Sequence, residues 1–60
     1  MLVRFVARDP GNHRTIMTVE MSTVPREGEI VTINDIPREV HQTSWEINED
    51  EQRAIVLLRT

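Results

Sequence analysis

Apolar and polar residues alternate with period two along most of this chain, which predicts β-strands. In residues 1–8, Val3, Phe5 and Ala7 alternate with Arg4 and Arg8, while Leu2 and Val6 fall on the arginine side. Asp9-Pro10-Gly11-Asn12 predicts a turn, because proline presets φ and Gly or Asn accepts a positive φ. Residues 13–22 form a second strand, antiparallel to the first, with Met17, Val19 and Met21 on one face. Pro25 and Gly28 mark a corner: proline cannot donate to a ladder, and glycine takes a conformation that a Cβ opposes. A short third strand over 29–33 turns Val31 and Ile33 inward, and Asn34-Asp35 is a tight turn without its usual glycine. In the fourth strand, 36–47, Val40, Thr43, Trp45 and Ile47 share a face only if an extra residue sits near His41-Gln42. Such a break in parity is the signature of a β-bulge, which bends a strand sharply.

Charged residues 48–51 separate this strand from the last run, Ala54-Ile55-Val56-Leu57-Leu58, which is apolar on both faces. A fifth strand over 52–60 is the expectation. The alternative is an α+β fold with a C-terminal helix from Asn48, capped by Asn48 and Glu51. Ile55 and Val56, both β-branched, and the shortness of the segment favour the strand. Residues 1–60 are expected to form a single all-β domain, a five-stranded antiparallel barrel, strongly bent and closed or nearly so. Closure would remove open sheet edges.

The run V-P-R-E-G-E-I-V-T-I followed by V-H-Q-T-S-W resembles a pattern in very small bacteriophage and actinobacterial proteins of no assigned function. There a hydrophobic-Pro-x-x-Gly-Glu corner leads into a strand, and a bulged strand then ends on tryptophan. The resemblance covers roughly residues 24–58. It implies a small SH3-like barrel and a phage or prophage origin. It implies no activity and transfers no binding residues. Arg38 and Thr43 stand where a larger apolar residue is typical of the pattern.

Length sharpens the picture. A chain of 60 residues buries only about 60% of its unfolded surface. Scaffolds below roughly 70–80 residues usually lean on disulfides, metal or association. Cysteine is absent, so disulfides and thiolate metal sites are excluded, and association is the remaining common support. No segment is long and apolar enough to span a bilayer. The N-terminus, M-L-V-R-F-V-A-R, is too short and charged for a secretory signal. The expectation is a soluble cytoplasmic protein, in the host cytoplasm if phage-encoded.

Charge is unevenly spread. Residues 1–19 carry Arg4, Arg8 and Arg14 against Asp9, a balance of +2, whereas 20–60 carry four arginines against nine carboxylates, a balance of −5. Such a dipolar surface can orient a partner. All seven basic residues are arginine, which fits either a GC-rich coding genome or bidentate anion contacts.

Catalytic chemistry finds little support. Ser22 and Ser44 lack a nucleophile-elbow motif, and His13 and His41 read as surface residues of a turn and a bulge. Glu46, Glu49, Asp50 and Glu51 lack the spacing of a calcium loop. No cofactor, metal or small-molecule ligand is expected. The stronger signal is surplus apolar surface: Leu2, Val6, Ile16, Ile30, Ile55 and Leu57 fall opposite the proposed core set. A clustered apolar patch marks an interface. The chain is therefore expected to be a non-catalytic protein-interaction module, forming a homodimer or docking on a host or phage protein through Leu2, Val6, Ile16, Ile55 and Leu57. The alternative is a small nucleic-acid binder using Arg4, Arg8 and Arg14, with Phe5 and Trp45, the only aromatic residues, committed to the core.

Overall fold

The computed structural model describes residues 1–9 and 12–59. Pro10 and Gly11, the centre of the expected first turn, lie outside the described residues. The strands are β1 (Leu2–Asp9), β2 (Asn12–Glu20), β3 (Ile30–Ile33), β4 (Ile36–Ile47) and β5 (Gln52–Leu58). They form one sheet in the order β2-β1-β5-β4-β3, curled into a half-barrel. No described residue is helical, so the alternative helix from Asn48 is overturned. Instead the Asn48 N–H donates to the Glu51 carbonyl at 2.8 Å and closes the β4–β5 hairpin. The sheet order explains why β5 is apolar on both faces. It is the middle strand, flanked by β1 and β4: Ala54, Val56 and Leu58 face the buried core, while Ile55 and Leu57 on the other face are half-buried among side chains of the neighbouring strands.

The sheet is mixed rather than wholly antiparallel. β1–β2, β3–β4 and β4–β5 pair antiparallel, but β1 and β5 pair parallel, with Val3 opposite Ala54 and Phe5 opposite Val56. The reason is parity. Strands that alternate in direction give the first and fifth the same sense, and setting them side by side makes that one pair parallel. Nor does the sheet close: β2 and β3 are its two edges. The segment 21–29 crosses from one edge to the other over the open side, and its Met21 and Val24 pack on the core.

Two bulges curl the sheet. The expected one is present, as a register shift in β4 between Val40 and Gln42. A second was not legible in the pattern. Phe5 pairs with Met17 but Val6 with Thr15, leaving Ile16 as the extra residue. The Asn34-Asp35 turn has both residues at positive φ, 52° and 66°, the signature of a type I′ hairpin turn. An aspartate there carries a Cβ penalty that glycine avoids. Asp35→Gly is expected to raise stability by about 0.5–1 kcal/mol, a shift of a few degrees in melting temperature that calorimetry will resolve.

Cross-strand register sorts the side chains into two faces. The concave face holds Val3, Phe5, Ile33, Val40, Ala54, Val56 and Leu58 as a buried core, with Ile16, Val19 and Val31 packed against it. Trp45 shares this face, opposite Ala54, but is 54% exposed. Its expected place in the core is thus corrected, and so is that of Ile47, which is 71% exposed. β3 is only four residues long and pairs with Ile36 to Glu39. Among the described residues no strand pairs with the last third of β4 on its side away from β5, so the trough is filled at the Leu58 end and open at the Trp45 end.

Candidate functional site

The open end of the trough is bounded on one side by β4 and on the other by the corner 22–27. The corner is held in place by several local bonds. Gly28, at φ +91°, turns the chain so that its N–H reaches the Val40 carbonyl at 2.9 Å, and the Val40 N–H returns to the Glu29 carbonyl at 2.8 Å. The Glu29 N–H donates to the Arg26 carbonyl at 3.0 Å, and the Arg26 N–H donates to the Glu29 carboxylate. The Thr43 hydroxyl donates to the Pro25 carbonyl at 2.8 Å, tying the corner to β4. Thr43 is thus a strut rather than a poorly chosen core residue.

Between the two walls lies an open groove of about 630 Å³ whose lining includes Met1, Val24, Pro25, Arg26, Thr43 and Trp45. A smaller hollow of about 400 Å³ lies on the far side of the same corner, against Ile30 and Val31. The N-terminal ammonium, at the end of the groove, is paired with the Glu20 carboxylate. Trp45, half-exposed, thus shares this groove with a proline, an aliphatic side chain and a thioether.

Among the described residues no strand pairs with the edge of β4 beside this groove, beyond the stretch that β3 covers. Because the Asn48 N–H bonds to Glu51, the alternation of an antiparallel ladder places Glu46 and Ser44 in bonds with β5. The N–H and C=O groups of Trp45 and Ile47 then point away from β5. Among the described residues no backbone group from outside the sheet bonds to them.

The residues expected to form an interface divide. Leu2, Val6, Ile55 and Leu57 do lie together on the convex face, where Arg4 is opposite Ile55 and Val6 opposite Leu57. Exposure there is modest. Leu2 is 38% exposed, Val6 is only 6% exposed, and Ile55 and Leu57 are half-buried. Val6 has Arg4 and Arg8 as neighbours along its strand and Leu57 and Thr15 across it, and arginine stems cover apolar surface. Ile16 is not part of this strip, since the bulge turns it against the core. Ile30 is exposed on β3, apart from the strip.

The arginines of the nucleic-acid alternative do not form one surface. Arg4 and Arg8 are convex, whereas Arg14 is opposite Ala7 on the other face. Arg4 donates to the Thr15 hydroxyl at 2.8 Å, and an Arg8 guanidinium nitrogen lies 3.0 Å from His41 Nε2. His41 is the bulge residue, and its Nδ1 is buried without a partner. No group of three or more metal-binding side chains occurs among the described residues, and no helix there is long and apolar enough to cross a membrane.

Comparison of the chain with family models, curated proteins and solved structures gives no match. The functional reading therefore rests on the groove itself. Sequence reasoning assigned Trp45 to the core because its parity matches the inward face. The signal that could have corrected this is the shortness of the third strand, which leaves the end of the fourth uncovered.

Proposed function

We propose that this chain is a non-catalytic protein-interaction module, an opened variant of a small SH3-like barrel, whose contact surface is the groove beside Trp45. The observation that carries this reading is the half-exposed tryptophan at the mouth of a groove. Tryptophan is the side chain most costly to leave in water, and its burial dominates the energetics of many interfaces. The walls are pinned by hydrogen bonds, so a partner meets a preformed surface and little ordering entropy opposes binding. The test is capture of partner proteins from lysate by the wild-type chain and by Trp45→Ala, with Leu57→Asp as the convex-face control. Partners lost with Trp45→Ala but retained with Leu57→Asp support the groove. Equal capture by all three chains overturns it.

Self-association through the convex face is a second reading, favoured by the continuity of Leu2, Val6, Ile55 and Leu57 across β1 and β5. It predicts a sedimentation mass above the 7.0 kDa of one chain. Leu57→Asp is then expected to return the mass to a monomer's. A wild-type chain that already sediments as a monomer at high concentration removes this reading.

A further inference from the structure

We infer that the free edge of β4 receives an extended, basic segment of a partner protein as an added strand, seated in the groove against Trp45. This rests on the groove being the contact surface and names what fills it. The first support is the backbone. Trp45 and Ile47 each turn an N–H and a C=O outward that find, among the described residues, no bonding partner from outside the sheet, and an extended segment is the occupant that satisfies such a row. The other edges are less suited. β2 is interrupted by the bulge at Ile16 and β3 is four residues long; bulges and shortness both discourage pairing. β4 has its bulge at His41, before the free stretch begins.

Charge selects the segment. Arg26 and Glu27 both line the groove and offset one another, so the surplus charge is that of Glu49 and Asp50 at the adjoining hairpin tip, which among the described residues have no ion-pair partner. Arg53, a nearby cation, is already bound to Glu51 at 2.8 Å. A second copy of this chain, with net charge −3, would bring acid against acid. A segment bearing arginine or lysine would meet opposite charge and lay a cation on the half-exposed indole.

The probe is a fluorescein-labelled peptide of alternating arginine and valine, compared with its glutamate–valine counterpart, by fluorescence anisotropy and by amide NMR of the wild-type chain. The arginine peptide is expected to bind, to weaken as salt rises, to shift the Trp45 indole and to protect the Trp45 and Ile47 amides from exchange. Glu49→Lys combined with Asp50→Lys should weaken it roughly tenfold. Ile47→Pro should abolish it while leaving the ladder to β5 intact, because the lost N–H points outward. If that variant fails to fold, amide protection in the wild-type chain decides the matter. An indole shift without amide protection, or equal binding of the glutamate peptide, overturns the basic-strand inference and leaves the groove standing as a contact surface. No effect of either peptide at Trp45 also overturns the inference, and the groove is then judged by the Trp45→Ala capture experiment. Shifts at these amides on raising protein concentration alone assign the edge to a second copy and overturn the inference too.

Discussion

Leu58→Ala should come close to unfolding this protein, whereas Ile30→Ala should hardly be felt. Leu58 is fully buried, at the end of the middle strand, and is opposite Ala7 on one side and Val40 on the other. Truncating a buried leucine costs about 2–5 kcal/mol, the lost transfer energy plus the cavity. A domain of 60 residues has in total roughly 3–9 kcal/mol at ordinary stability per residue. The two ranges overlap, so one side chain is enough to remove most of the folded population. Ile30 is 63% exposed, and its truncation is expected to cost under about 1 kcal/mol. Urea denaturation of the two variants is the measurement. Equal midpoints for both would show that the concave core is not where the burial pattern puts it.

Trp45→Ala should leave the chain folded and remove its binding. A core tryptophan costs about 3–5 kcal/mol on truncation to alanine. Trp45 is 54% exposed, so roughly half of that, about 2 kcal/mol, is expected. That loss lowers the denaturation midpoint but does not abolish the native state. At an interface centre a tryptophan carries about 2 kcal/mol or more, which is about thirtyfold in affinity. Circular dichroism and capture experiments on the same sample separate the two effects. A variant that is unfolded would show Trp45 to be a core residue after all. A variant that is folded and binds normally would remove the groove from consideration.

Much of the fold was readable in period-two patterning, because a strand inserted between two faces must alternate. The five strands, the bulge at His41 and the Asn34-Asp35 turn all follow from local rules that hold wherever the chain goes. The double-sided run 54–58 was legible as a strand, but its apolar second face was taken for a contact surface, and its central place in the sheet was not legible. The bulge at Ile16 was invisible because Ile16 is apolar, and an apolar residue out of register breaks no pattern. That Leu2, Val6, Ile55 and Leu57 share a face was readable from parity, but not that Val6 is buried there and that Ile55 and Leu57 are half-buried.

The sequence by itself determined which residues alternate, where the chain turns and which strand is apolar on both faces, since those depend on neighbours a few positions away. Tertiary structure alone decided that the first and last strands lie side by side and parallel, that the half-barrel stays open, and that the tryptophan stands at its mouth. Those outcomes depend on how far each strand reaches past its partner. Length mismatch between distant strands leaves no mark on the parity of either one.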